Sequence, residues 1–260
     1  MATNSIALRP MYWASVSGGK DSLYMLNLIL HNLEKYPLDG VVHFELEIDY
    51  PFIHDVIDYL EKQCENHGIP FVRVKPSTSY FDLLDKYGFP TRIARWCNGH
   101  YKLDAHKQIR QFLASKGFDM VCYIGYCADE KRRYEHRTAL NERYPLVEEG
   151  ISEDVILQWA RDVPIFNHFY EFNQRCGCMF CPMASMHDTA YLKVFYPDKY
   201  EYLMKIASET ELTVEAKTGK PFSVWSGNPK YNTIYRDKRV REVYVPRLLA
   251  QLDELRGDTA

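Results

Sequence analysis

The chain has 260 residues, 46% of them hydrophobic and 26% charged, with a formal net charge of −3. That length buries a full core, either as one large α/β domain or as a domain with a C-terminal appendage, and the charge excludes a globally basic nucleic-acid binder while leaving local patches open. No uncharged run reaches the roughly 18 residues of a membrane span, and Met1 to Pro10 carries no apolar secretory region, so a cytoplasmic protein without membrane contact is expected.

Tyr12 to Val16 reads as a first strand, leading into Ser17-Gly18-Gly19-Lys20-Asp21-Ser22 and then a helical stretch, Leu23 to Leu33. Adjacent glycines let backbone N–H groups approach an anion, and the helix start adds unpaired donors and a positive dipole end. Lys20 supplies a point charge, and the hydroxyls of Ser17 and Ser22 supply orientable donors. Asp21 is expected to cap the helix, and beside phosphate it calls for a cation, so Mg²⁺ is predicted. The run therefore reads as a pyrophosphate cradle; the alternative is a glycine-rich turn that binds nothing. Walker A spacing would need a glycine at position 14, which is Ala14, and the dinucleotide pattern G-x-G-x-x-G does not fit either.

Val41 to Ile48 is the second predicted strand, with Glu45, Glu47 and Asp49 at its end as carboxylates for a ribose or metal, or as solvated charge. Ile53 to Asn66 follows as a helix whose apolar face includes Cys64, a buried residue on this reading, with Gly68 as its stop. Phe71 to Val74 is the third strand, Leu103 to Lys116 a helix ended by Gly117, and Met120 to Tyr126 the fourth strand. This alternation predicts a doubly wound, three-layer α/β fold with a parallel sheet, and ligands at the carboxyl ends of its strands. The fourth strand leads into Tyr123-Ile124-Gly125-Tyr126-Cys127-Ala128-Asp129-Glu130-Lys131-Arg132-Arg133, where a sheet can deliver Arg132 and Arg133 to a phosphate. Cys127 there is a buried bystander or a sulfur-carrying nucleophile.

The alternation breaks down after Pro164, dividing the chain into a nucleotide-binding domain, 10–165, and a helical, cysteine-containing extension, 166–260. Of seven cysteines, Cys176, Cys178 and Cys181 lie within six residues, which argues for a metal rather than disulfides. The C-x-x-C pair supplies two ligands, and Cys176 and Cys97 are candidates for the others. Three occupants stay open: a 4Fe–4S cluster on Cys97, Cys176, Cys178 and Cys181; a zinc ion on the same thiolates or with His168 or His187; and a redox dithiol. Between Lys217 and Arg247 eight basic residues face two acidic ones, interleaved with Phe222, Trp225, Tyr231, Tyr235 and Tyr244. This segment, 217–247, is either a groove for single-stranded nucleic acid or a hairpin or loop whose aromatics pack on the main domain.

S-G-G-K-D-S after an apolar strand resembles the signature loop of the ATP pyrophosphatase (adenine nucleotide alpha hydrolase-like) superfamily, which includes phosphoadenylylsulfate reductases, tRNA thiolases and DNA phosphorothioation enzymes. Arg95-Trp96-Cys97 with Lys102, followed by Gly177-Cys178 and Cys181-Pro182, resembles the iron–sulfur branch of the phosphoadenylylsulfate reductase-like family. The resemblance covers residues 10–185 or so and implies binding of ATP with Mg²⁺ by Ser17 to Ser22, and a role for Lys102 pairing a substrate phosphate with the cluster; an exposed helix-start lysine is the alternative. It implies Lys20, Asp21, Arg132 and Arg133 as the catalytic set, with Cys127 standing where the family pattern often carries an arginine. The implied fourth cluster ligand is Cys176 or an exogenous group. Three functions follow: an ATP-dependent sulfurtransferase acting on tRNA or DNA and fed by a cysteine desulfurase or other sulfur donor, a sulfonucleotide reductase, or a nucleotide-binding module of a larger assembly. Family reductases use a cysteine in a C-terminal segment, and no cysteine follows Cys181 here, which favours the first. A homodimer remains open.

Overall fold

The computed structural model describes residues 8–135, 141–166 and 169–257, with side chains described to residue 255. Five parallel strands, β1 (Arg9–Val16), β2 (Gly40–Phe44), β3 (Phe71–Val74), β4 (Phe118–Tyr123) and β5 (Glu142–Arg143), form one sheet in the order β3-β2-β1-β4-β5. Between them run α1 (Lys20–Leu30), α2 (Pro51–Asn66), α3 (Tyr80–Tyr87), α4 (Leu103–Ser115) and the short α5 (Lys131–Tyr134). After the sheet come α6 (Pro145–Glu148), α7 (Glu153–Arg161), α8 (Phe169–Phe172), α9 (Met186–Phe195), α10 (Pro197–Thr218), α11 (Thr233–Arg239) and α12 (Val245–Gly257). No helix among the described residues is long and apolar enough to cross a membrane.

The expected doubly wound α/β fold is present. The chain moves from β1 out to β3, then returns to place β4 on the other side of β1, so the switch point lies between the carboxyl ends of β1 and β4. One face of the sheet carries α1 and α2 through Ala14, Val16, Ile29 and Ile57, and the other carries α4 through Trp13, Val42, Ile109 and Met120. The first of these cores continues through Tyr170, Tyr191 and Leu203 to Leu248, so the helical extension shares its interior with the sheet domain. Cys64 is buried in it, and Gly68 and Gly117 end their helices at φ 67° and 85°, as expected.

Several strand boundaries differ from the pattern: β1 begins at Arg9, ahead of Tyr12, and β4 spans Phe118–Tyr123 in place of Met120 to Tyr126. β2 stops at Phe44 because the chain leaves the sheet there, and Leu46 and Ile48 are buried as loop side chains. β5 is a two-residue pairing, Cys122 with Glu142 and Tyr123 with Arg143, too short to show a period in sequence. The basic tail is a loop over 219–232, with one 3-10 turn, followed by helices, and not a hairpin.

Candidate active site

The cradle is built where β1 hands over to α1. Gly18 takes φ +75°, and a Cβ there would lie 2.7 Å from Ile53 Cγ2, so α2 presses on the turn from behind. Gly19 is the N-cap of α1, without a side-chain cap. Asp21 therefore does not cap the helix as expected, because α1 begins one residue before it; its carboxylate accepts from Lys20 Nζ at 2.7 Å instead. Several loop donors are already engaged by hydroxyls: Ser17 N–H donates to Ser22 Oγ at 3.1 Å, and Lys20 N–H to Tyr170 Oη at 2.8 Å. Gly125 brings the end of β4 against the start of α1, and a Cβ on it would meet the Asp21 carbonyl oxygen at 2.9 Å.

Lys20 is 1% exposed, its ammonium held between Asp21 and Glu153, the latter at 3.4 Å. Burial pushes the Glu153 carboxyl up, but the Arg175 hydrogen bonds and the Lys20 and Arg175 charges outweigh it and leave it below the usual carboxylate range. Arg133 pairs with Glu130 at 2.8 Å and lies 4.3 Å over the Tyr126 ring, facing the cleft; Arg132 is exposed on α5, outside the cleft wall. Cys127 is fully buried and its thiol donates to Asp21 Oδ1 at 3.5 Å. Burial and the Asp21 charge raise that thiol far above its ordinary value, so it stands as a neutral donor.

The cysteine loop folds back onto the same strand ends. Met179 N–H donates to the Ile48 carbonyl at 2.8 Å, which docks the loop beside the end of β2. Cys97 begins a π-helical turn, Cys97–Lys102, ahead of α4. Cys178 and Cys181 hydrogen-bond each other, Cys97 lies in the field of Cys178, and Tyr80 sits beside all three, its hydroxyl buried without a partner. The Cys181 hydrogen bond and the Lys102 ammonium together lower Cys178, making it the thiolate of the group, and the Cys178 charge in turn raises Lys102. Lys102 is thus partly buried against the cysteines and not an exposed helix-start residue. Cys176 stands on the cradle side, its Cβ 3.9 Å from where a Gly19 Cβ would be.

Among the described residues no three histidine, cysteine or carboxylate side chains stand close enough to hold a metal ion as placed. Cys97, Cys178 and Cys181 nonetheless lie within one another's field beside Lys102, a donor set whose chemistry suits a thiolate-held group. His187 packs edge-on to Tyr244 at 4.9 Å, and His168 lies outside the described residues.

The cradle and the cysteine loop open on one cleft of about 950 Å³ at the switch point, walled by Ser17, Gly19, Asp21, Arg175, Cys176 and Cys178 among others. A second space of about 160 Å³ runs behind it between Asp49, Lys102 and Cys176.

Two uncharacterized proteins of Methanocaldococcus jannaschii are similar to this chain. MJ0973 is 29% identical over 204 residues, 72% of this chain and 45% of its own length, and MJ0066 is 26% identical over 205 residues, 71% and 39%. The chain spans less than half the length of these curated relatives. Among solved structures, the U34-tRNA thiolase NcsA from Methanococcus maripaludis with its 4Fe–4S cluster aligns over 93% of this chain and 76% of its own, at 16% identity and a TM-score of 0.42. No family model matches the chain.

Of the strand-end carboxylates, Glu47 accepts from Ser79 Oγ at 2.9 Å and from the Tyr80 N–H, so it serves the start of α3. Glu45 pairs with Lys75, and Asp49 is drawn in towards Cys178 and Lys102, where burial and the Cys178 charge raise its carboxyl to about 7. In the tail, Trp225 and Arg236 are buried, stacked at 4.1 Å, with Arg236 donating to the Ala184 and Ser185 carbonyls. Phe222 packs on the core, Arg241 pairs with Asp237 and Glu201, and Tyr235 meets the exposed Tyr231 edge-on; Lys217, Lys220, Lys230, Lys238 and Arg247 are exposed. Tyr170, Glu153 and Arg175 were missed by sequence reasoning. Only Arg175, next to Cys176, carried a local signal.

Proposed function

We propose that the chain is an ATP-dependent, pyrophosphate-releasing sulfurtransferase-type enzyme that thiolates a nucleic acid and holds a 4Fe–4S cluster on Cys97, Cys178 and Cys181. The observation that carries this reading is the single cleft shared by the cradle and the cysteine loop. A nucleotide whose β- and γ-phosphates lie on Gly19 and Ser17 would place its α-phosphorus toward the cysteines, which gives phosphate activation and sulfur a common site.

In this scheme an acceptor oxygen bonds to the α-phosphorus, the bridging bond to the β-phosphate breaks, and pyrophosphate leaves with the electron pair. Lys20, the loop amides and Arg133 stabilise the departing charge, and Asp21 would hold a Mg²⁺ that supplies further positive charge there. A sulfur nucleophile, supplied through a cysteine desulfurase or other donor, then bonds to the activated acceptor atom and AMP departs. When bound, the cluster supplies a thiolate-held iron site at which a sulfur species can be kept. Lys102 steadies the negative charge of its ligands, and the exposed lysines of 217–247 attract the acceptor backbone.

The test is anaerobic purification with iron and sulfide analysis, then measurement of pyrophosphate and AMP formed from ATP with tRNA or DNA and a sulfur donor. Turnover of adenylylsulfate or its 3′-phosphate to sulfite, with none of ATP, would replace this reading with a reductase. ATP binding without pyrophosphate release under any condition would leave a nucleotide-binding module.

A further inference from the structure

Arg175 precedes the cysteine loop and walls the cleft. Its guanidinium grips both oxygens of Glu153, Nε to Oε1 at 3.0 Å and Nη2 to Oε2 at 2.7 Å, and Nη2 also reaches Glu130 Oε1 at 3.3 Å. Glu153 is the same carboxylate that holds Lys20, and Glu130 the same one that holds Arg133. With Asp21, three carboxylates and three cations close one network around the cradle.

These cations differ in freedom. The Lys20 side chain is 1% exposed, whereas that of Arg175 is 62% exposed and lines the cleft. The Arg175–Glu153 contact is bidentate but open to water on the arginine side, and a polyphosphate offers a guanidinium more oxygens and more charge than one carboxylate does. Resting on the reading of the cradle as a pyrophosphate site, we propose that Arg175 is a polyphosphate-binding side chain, which leaves Glu153 for the phosphate oxygens when the pyrophosphate end of a nucleotide enters.

The exchange has a structural consequence. Arg175 adjoins Cys176, which packs against Gly19, and Tyr170 from the same segment occupies the Lys20 N–H. Filling the cradle therefore displaces two ties, Tyr170 on the amide and Arg175 on Glu153, both carried by the segment that ends in the cysteine loop. Arg175 supplies a phosphate contact from the cysteine segment, against the part of the β4 rim that carries Glu130 and Arg133.

The test is calorimetric titration of inorganic pyrophosphate, MgATP and adenosine into the full chain purified anaerobically. Wild type is compared with Arg175→Ala, Arg175→Lys and Glu153→Gln. Loss of a charge-assisted fork is expected to weaken pyrophosphate and MgATP about tenfold to a hundredfold in Arg175→Ala, with adenosine unchanged and partial recovery in Arg175→Lys. Glu153→Gln frees the fork and Lys20 together and is expected to tighten pyrophosphate several-fold, a gain that shrinks when Arg175→Ala is combined with it. Pyrophosphate affinity within twofold of wild type in Arg175→Ala would reduce Arg175 to a staple on Glu153. Should Arg175→Ala not fold, weaker or unaltered binding in Glu153→Gln overturns the proposal. Wild type that binds neither pyrophosphate nor MgATP overturns the cradle reading itself, and the role of Arg175 with it.

Discussion

The Tyr170 hydroxyl accepts the backbone N–H of Lys20 at 2.8 Å, joining residues 150 positions apart at the first turn of α1. A neutral hydroxyl thus stands at the donor where the cradle would meet an anion. Tyr170→Phe leaves that buried N–H unpaired and is expected to cost about 1–3 kcal/mol of stability. Pyrophosphate binding is expected to tighten, since the amide no longer has a competitor. Denaturant midpoints and calorimetric affinities read the two effects separately.

Gly125 and Gly99 make a matched pair. A methyl on Gly125 meets the backbone of Asp21 at 2.9 Å, and neither partner can swing away, whereas a methyl on Gly99 meets nothing within 4 Å. Gly125→Ala is expected to destabilise by about 1–3 kcal/mol and to weaken nucleotide binding by shifting the start of α1. Gly99→Ala is expected to stay within about 0.5 kcal/mol of wild type. Urea unfolding of both variants checks this.

The thiols separate into three and one. Cys97→Ser, Cys178→Ser and Cys181→Ser are each expected to lose most of their iron and the visible absorption band after anaerobic purification, because these thiols lie within one another's field beside Lys102. Cys176→Ser is expected to keep its iron, since Cys176 faces Gly19 on the cradle side. Iron per chain and the absorption spectrum decide between these outcomes.

His43 gives a pH dependence. Burial, against the opposing hydrogen bond to the Val16 carbonyl, lowers its pKa from the ordinary 6.5. As pH falls through 6.5 the unfolded chain takes up the proton first, so stability drops from there down to the folded pKa. His43→Gln is expected to flatten this part of the profile, read as the change in urea midpoint between about pH 7.5 and 5.5.

Arg236 ties the tail to the start of α9 through two carbonyls and the Trp225 face. Arg236→Ala is expected to destabilise by about 2–3 kcal/mol, with little rescue by lysine, which lacks the planar fork. If the exposed lysines bind nucleic acid, Lys230→Glu lowers affinity and its salt slope while leaving stability unchanged, as filter binding across a salt series would show.

Local order was legible in the chain. The apolar period of Ile53 to Asn66, the stops at Gly68 and Gly117 and the apolar run before Ser17 place α1, α2, α4 and four of the strands, because backbone angles and amphipathic faces are set by neighbours within a turn or two. The cradle was visible for the same reason, since two glycines between a strand and a helix leave few other conformations. Charge partners were not legible. Lys20 reads as a free cation until Glu153, 133 residues later, closes on it, and the choice for Trp225 between a nucleic-acid platform and a packed aromatic is settled only by its burial against Arg236. Local spacing thus settled the α/β order and the candidate chemistry, whereas the tertiary structure decided which side chains face the cleft. Ion pairs and burial depend on distance in space, and the sheet order β3-β2-β1-β4-β5 brings Cys127, Glu153 and Arg175 to one switch point from positions that share no period.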